Sequence, residues 1–248
     1  MREDRYDDPA FFAKYSQMPR SRYGLEAAGE WETLRTLLPD FAGRRVLDLG
    51  CGYGWHCIYA LEHGAAAVTG VDISEKMLAV AREKTGNGDV RYIRAAMEDV
   101  DFPPASFEVV LSSLALHYVE ELEPLVGRIY DWLTPGGDFV FSCEHPVFTA
   151  EGSQEWVTGP DGAPLYWPVD HYFAEGRRTA RFLGCDVIKY HRTLTTYVRA
   201  LLDAGFVLRA LVEPRPDPGL MDVPGMADEL RRPMMLLAAA RKPEGPGH

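Results

Sequence analysis

The chain contains no apolar run approaching the roughly 20 residues of a membrane-spanning helix, so no membrane span is expected. Basic residues are in deficit: 26 Lys and Arg stand against 37 Asp and Glu, a formal net charge of −11. Binding to a phosphate backbone depends on cations that neutralise phosphates, so DNA and bulk RNA are poor partners for this composition. Cysteine is scarce, and Cys51, Cys57, Cys143 and Cys185 show no C-x-x-C spacing. Zinc ribbons and iron–sulfur clusters are thereby disfavoured, no metal is expected, and the thiols should be buried and reduced. Internal repeats are absent. Only the end, from Lys242 to Gly247, has a disordered composition, and 243–248 is read as a flexible tail. The opening Met1-Arg2-Glu3-Asp4-Arg5 is too charged for a secretory leader, which leaves a cytoplasmic protein with a small-molecule partner as the expectation.

With 248 residues, 46% of them hydrophobic, the chain can build one substantial core, and a single domain over 1–248 is expected. Aromatic and aliphatic residues at three- and four-residue spacings predict two helices, Pro9 to Met18 and Tyr23 to Leu38, within an amino-terminal lid over 1–40. Strands then alternate with helices. Arg45 to Leu49, Ala66 to Asp72, Val90 to Arg94, Phe107 to Ser112 and Asp138 to Cys143 read as strands, with helices near Trp55, Ser74 and Leu122 and a turn at Pro135-Gly136-Gly137. This alternation predicts a parallel α/β sheet covered on both faces, with a core over 44–143. The region 144–188 mixes glycine and proline with Trp156, Tyr166, Trp167, Tyr172 and Phe173 and reads as a loop-rich cover over a ligand or, alternatively, an oligomer contact or a packed excursion. A homodimer is left open. The remainder, 189–242, supplies a helix from Thr193 to Ala204 and two late strands, Phe206 to Val212 and Met234 to Ala240, predicted to form an antiparallel hairpin.

The most informative residues are Val46-Leu47-Asp48-Leu49-Gly50-Cys51-Gly52-Tyr53-Gly54, where three glycines stand at the turn from a buried strand into a helix. Glycine tolerates positive φ and lets a ligand approach bare backbone, so the turn reads as a nucleotide or nucleoside site. A dinucleotide fingerprint requires its third glycine at Trp55, whereas Gly54 comes one place early. The next strand ends in Asp72, an acidic tip of the kind that accepts ribose hydroxyls in doubly wound folds.

The D-x-G-x-G-x-G pattern from Asp48 to Gly54, followed by Asp72, resembles the first motifs of class I S-adenosylmethionine-dependent methyltransferases. From Asp89 to Val119, with Phe102-Pro103, Phe107 to Val110 and Ser112 to Tyr118, the chain looks like the small-molecule group that includes quinone- and biotin-pathway methyltransferases. The resemblance covers about Arg44 to Lys242. It implies a Rossmann-like, seven-stranded, mostly parallel sheet with an antiparallel last strand, helices on both faces and a lid insertion. It also implies S-adenosyl-L-methionine as cofactor, S-adenosyl-L-homocysteine as product, and a small-molecule acceptor methylated on O or N, less readily on C.

Carried over residue by residue, the resemblance places Asp48, Gly50, Cys51, Gly52 and Gly54 beneath the cofactor, Asp72 on the ribose, and Ile73 and Met77 near adenine. Where many relatives have an acidic or amide group for adenine N6, this chain has Ala95-Ala96-Met97, so the Met97 amide and Glu98 are expected to substitute beside Ala96. Ser112, Leu114 and His117 complete the set after the fourth strand, and Tyr15 and Arg20 are expected over the methionine half, Arg20 pairing with its carboxylate. Oxygen and nitrogen acceptors must shed a proton, which suits a histidine. Strand carboxyl ends face the crevice, ranking His145 and His117 ahead of His191 and His171 as the catalytic base.

A nicotinamide-dependent oxidoreductase and a non-catalytic binder of S-adenosylmethionine are the competing readings. S-adenosylhomocysteine should raise the melting temperature in a thermal-shift comparison where NADH does not; the reverse order would select the oxidoreductase.

Overall fold

The computed structural model describes residues 5–86 and 88–245. Three short helices come first, α1 (Pro9–Tyr15), α2 (Pro19–Tyr23) and α3 (Trp31–Leu37). Then follow β1 (Arg45–Leu49), α4 (Trp55–Glu62), β2 (Ala67–Asp72), α5 (Glu75–Thr85), β3 (Val90–Arg94), β4 (Phe107–Ser113), α6 (Leu122–Trp132) and β5 (Leu133–Glu144). The insertion carries α7 (Pro146–Thr149), β6 (Val157–Thr158), β7 (Pro164–Tyr166), β8 (Gly176–Phe182) and β9 (Cys185–His191). The chain closes with α8 (Leu194–Asp203), β10 (Val207–Val212), α9 (Met226–Glu229) and β11 (Met235–Arg241).

Seven strands form one sheet in the order β10-β11-β5-β4-β1-β2-β3. All neighbouring pairs from β5 to β3 are parallel, and β11 runs antiparallel to both β5 and β10. The central strands are apolar on both faces because helices cover both. Leu47 and Leu49 face one core with Leu125 and Ile129 of α6 and Leu201 of α8. Val46 faces the other with Trp31 and Leu34 of α3, Cys57 and Ala60 of α4 and Leu78 of α5. Chain order reverses direction between β4 and β1, and the crevice above the carboxyl ends of these strands is where open α/β sheets bind ligands.

Several sequence expectations are revised. The two amino-terminal helices are three, because Pro19 starts a new helix and Gly24, with φ of 77°, ends it. Trp31 and Leu34 of α3 are buried in the sheet's core, so this helix is part of the body rather than of a cover. The Pro135-Gly136-Gly137 turn lies inside β5 as an irregularity: Leu133 pairs with Phe107 and Asp138 with Val109, leaving four residues opposite one. The stretch read as loop up to Ile188 contains the β8–β9 hairpin, so the boundary drawn at 188 cuts through β9. Leu183 and Gly184, with φ of 53° and 77°, make the two-residue hairpin link. Three tail residues, 246–248, lie outside the described residues. Among the described residues no helix is long and apolar enough to cross a membrane, and no cluster of His, Cys, Asp or Glu is arranged to hold a metal.

Gly50 adopts φ of 74°, and a Cβ there would collide with the Ala115 Cβ. Gly50→Ala should lower unfolding free energy by about 2–4 kcal/mol in urea denaturation, the sum of overpacking and a left-handed alanine. Gly29→Ala, at an exposed glycine with open space around its Cβ position, should stay within about 0.5 kcal/mol.

Candidate active site

The turn after β1 is held by its own amides. Gly50 and Cys51 both donate to the Val71 carbonyl, at 2.8 and 3.0 Å, Gly54 donates to the Cys51 carbonyl, and Gly52 donates to Asp72 Oδ2 at 2.8 Å. The three glycines have positive φ for different reasons. A Cβ at Gly50 or Gly54 would strike Ala115 or the Tyr92 hydroxyl, so these two let elements pack closely. Gly52 has nothing within 4 Å of its Cβ position; it is the glycine that leaves bare backbone open to a ligand.

Asp72 Oδ1 also accepts the Ser74 amide, so the carboxylate is fixed between two backbone donors at the tip of β2. Burial pushes its carboxyl up to about 6, against the lowering effect of those hydrogen bonds. Asp48 is elsewhere than expected. It shares the sheet face of Val46, lies under the turn, accepts the Cys57 thiol at 3.4 Å and does not line the cavity; burial raises it to about 7. Cys51 and Cys57 are buried free thiols.

A cavity of about 1430 Å³ opens over the strand ends. It joins two regions. Gly50, Cys51, Gly52, Asp72, Ile73, Met77, Ala96, Met97, Glu98 and Leu114 line one, and Tyr15, Arg20 and His117 also reach the cavity. Glu144, Phe148, Gln154, Phe182, Lys189 and Met235 line the other. Gly54 and Ser112 are not in the wall: Gly54 starts α4, and Ser112 Oγ donates to the Leu49 carbonyl inside the sheet. Leu114 holds φ of 50° with its amide donating to Ser142, a left-handed leucine in the cavity wall.

The amino-terminal segment closes over the first region. Asp7 caps α5, accepting the Lys76 amide at 3.0 Å and the Ser74 hydroxyl at 2.5 Å, and pairs with Arg94 at 3.2 Å. Tyr6 meets Tyr118 hydroxyl to hydroxyl at 3.0 Å, and Lys14 Nζ donates to the Leu183 carbonyl at 2.9 Å in the hairpin link. Arg20 pairs with the buried Glu30 at 2.9 Å while its side chain keeps 24% exposure.

The histidines divide. His117 is buried in the cavity wall; its Nδ1 accepts the Glu144 amide at 3.3 Å, so the neutral ring carries its proton on Nε2. Burial lowers its pKa to about 4. His145 and His191, expected in the crevice, are not in it. The chain turns at Pro146, and His145 Nδ1 caps α7 by accepting the Val147 amide while Nε2 lies 2.8 Å from Glu213. His191 is fixed between the Thr149 hydroxyl at Nδ1 and the Tyr172 carbonyl at Nε2. His171 is an exposed loop residue outside the cavity wall.

Several wall residues escaped the sequence reading: Tyr6, Asp7, His56, Glu144, Gln154 and Lys189. Lys189 had a legible signal, since Val187, Lys189 and His191 alternate along β9 and all three are buried. Gln154 and Asp7 had none, because their places depend on long-range packing. His56 Nε2 and Trp55 Nε1 are buried without a protein partner among the described residues, at a wall that also holds the open Gly52. Polar atoms of this kind beside bare backbone fit a nucleoside amino-acid ligand.

A glycine turn without a dinucleotide fingerprint, an acidic β2 tip and a sheet ending β5-β11-β10 define a methyltransferase of the Rossmann-like class. A family model described as "Methyltransferase domain" matches residues 47–141. The solved structure of an S-adenosylmethionine dependent methyltransferase from Mesorhizobium loti is 44% identical, with TM-score 0.81 over 88% of this chain and 100% of that one. A solved structure from Listeria monocytogenes is 55% identical, with TM-score 0.85 over 89% of this chain and 100% of that one. A malonyl-[acyl-carrier protein] O-methyltransferase of Pectobacterium atrosepticum is 33% identical over 125 residues, 50% of this chain and 48% of that protein. The chain belongs to the S-adenosylmethionine-dependent methyltransferase family. It is an enzyme whose cofactor is S-adenosylmethionine, and the nicotinamide reading is set aside.

His56 and His117 should stay neutral between pH 8 and 5 in ring-nitrogen NMR, since burial lowers them to about 3 and about 4. Because an unfolded histidine takes its proton near pH 6.5, the stability these neutral rings contribute is fully present above that value and is lost as pH falls towards the folded values.

Proposed function

We propose that the enzyme transfers the methyl group of S-adenosylmethionine to an oxygen or nitrogen atom of a small metabolite, in the cytoplasm. The observation that carries this reading is the continuous cavity of about 1430 Å³. Single drug-sized ligands occupy about 300–1,000 Å³, so cofactor and a small acceptor have room side by side. Support for oxygen comes from the malonyl-carrier O-methyltransferase, whose resemblance is confined to half of each chain. The charge of −11 supports a small acceptor over nucleic acid.

Asp72 is assigned to the ribose hydroxyls, with its carboxylate orientation set by Gly52 and Ser74. Ile73, Met77, Ala96 and Met97 supply the apolar wall for adenine, and the Gly52 backbone the close approach. Arg20 and Tyr15 are assigned to the amino-acid end, Arg20 keeping a cavity-facing edge despite Glu30. The bound sulfonium supplies an electrophilic methyl group and a neutral leaving sulfide. What the chain adds is alignment, and enforced attack geometry accounts for about 7–11 kcal/mol of such barriers. Tyr6 and Tyr118, joined hydroxyl to hydroxyl, and His117, on the Glu144 amide, line the same cavity, where they shape the approach and exclude water.

Incubation with methyl-labelled cofactor and a cell extract, read by mass spectrometry, should yield a labelled small molecule carrying O–CH3 or N–CH3. Saturable S-adenosylhomocysteine binding with no labelled product would refute methyl transfer and leave a binding protein.

Protonation removes Asp72's acceptor character, so S-adenosylhomocysteine affinity should fall as pH drops through about 6. Asp72→Asn should weaken binding about tenfold or more at pH 7.5, the scale of a hydrogen bond to a charged group, and flatten this pH dependence in calorimetric titration.

A further inference from the structure

The second region of the cavity holds a buried ion pair for which the cofactor has no use. Lys189 Nζ donates to Glu144 Oε1 at 2.5 Å and to Gln154 Oε1 at 2.8 Å, and Gln154 Nε2 returns to Glu144 Oε2 at 2.6 Å. The three side chains close a ring. Gln154 completes it from a left-handed backbone, φ 60°, a conformation a non-glycine residue adopts at a cost.

Such a pair is poor glue for a fold, because the desolvation of two charges offsets their attraction. Its placement points to recognition. The Lys189 side chain is 2% exposed and lies beneath; the Glu144 side chain keeps 15%, in the cavity wall. Burial alone would raise the Glu144 carboxyl, but His117, Lys189 and Gln154 outweigh it and hold it below its ordinary value. Each carboxylate oxygen takes one donor from the ring and retains a second lone pair. The Glu144 carboxylate thus offers hydrogen-bond acceptors in this wall, with Phe148, Phe182, Val187 and Met235 as apolar neighbours, while Arg177 and Arg181 of β8 also line the cavity.

We propose that Glu144, locked by Lys189 and Gln154, selects the methyl acceptor by receiving a hydrogen bond from it, and that the acceptor is a small molecule with a hydroxyl or amine on an apolar body. This rests on the methyl-transfer reading above. At Glu144 a carboxylate or phosphate is disfavoured, because it brings no donor and is repelled by the carboxylate. The Glu144 amide also holds His117 Nδ1, so the residue that receives the acceptor fixes the imidazole in the wall beside it.

Benzyl alcohol, benzylamine and benzoate are matched probes, titrated by NMR into the protein with and without S-adenosylhomocysteine. Benzyl alcohol and benzylamine should bind about fivefold or more tighter than benzoate, and Glu144→Gln should weaken both by about fivefold or more, the effect of losing a hydrogen bond to a charged group. The relative strength of the two tells hydroxyl from amine recognition. S-adenosylhomocysteine affinity should change less than about twofold. Because Glu144→Gln leaves Lys189 unpaired and risks misfolding, the double variant Glu144→Gln/Lys189→Met removes both charges and should show the same fragment losses. Benzoate binding as tightly as the alcohol, or unchanged alcohol and amine affinity in either folded variant, overturns the proposal. Absence of S-adenosylhomocysteine binding to the wild-type protein overturns the methyl-transfer reading instead, and the fragment ranking without cofactor still judges the wall.

Discussion

One hydrogen bond organises the site: the Gly52 amide to the Asp72 carboxylate at 2.8 Å. It ties the turn after β1 to the tip of β2, and with the Gly50 and Cys51 amides on Val71 it holds the turn's shape. The turn therefore contributes shape and bare backbone, and the start of α4 that follows it carries no side-chain cap. A side chain at 50 or 54 would force it open, since those positions are filled by Ala115 and the Tyr92 hydroxyl. Asp72 keeps a cavity face while satisfying two amides, which is how a carboxylate withdrawn from water remains usable near neutral pH.

The rest of the wall is assembled from segments distant in sequence, and their mutual contacts make it one unit. Asp7 caps α5, Lys14 reaches the β8–β9 link, and Phe11 packs edge-on against Phe182 at 5.8 Å. On the far side Arg232 sits 4.3 Å from the Trp167 ring and 4.7 Å from Phe148, with Glu229 holding its guanidinium. This stack joins the insertion to the connector before β11. Cover and insertion thus meet each other as well as the sheet.

The frame of this fold was legible because its signals are local. Leu47 and Leu49 alternating with Val46, the glycine turn and Asp72 state strand, turn and acidic tip within 27 residues, and their spacing excludes a dinucleotide loop. The β8–β9 hairpin was also written locally, in Leu183-Gly184 between two alternating runs, but the glycines and prolines before it masked the period. Other features had no local trace. Asp48 was assigned to the cofactor by its place in the motif, whereas strand alternation sends its side chain under the turn towards Cys57. His145 was ranked by its position after a strand, and Pro146 redirects the chain one residue later.

The fate of the histidines constrains the chemistry. His191 has both ring nitrogens engaged, His145 spends Nδ1 on a helix cap, and His117 gives Nδ1 to the Glu144 amide. His117, the imidazole in the cavity wall beside Glu144, thus has its other nitrogen protonated, and that nitrogen donates rather than accepts. Burial, which lowers it to about 4, makes it a feeble base even if that bond broke. None of His117, His145 and His191 therefore presents an unprotonated ring nitrogen to the cavity. A sulfonium methyl group asks little of a base when the nucleophile arrives with a lone pair and is held in line. On the methyl-transfer reading proposed above, the clasped Asp72 and the locked Glu144 serve that alignment.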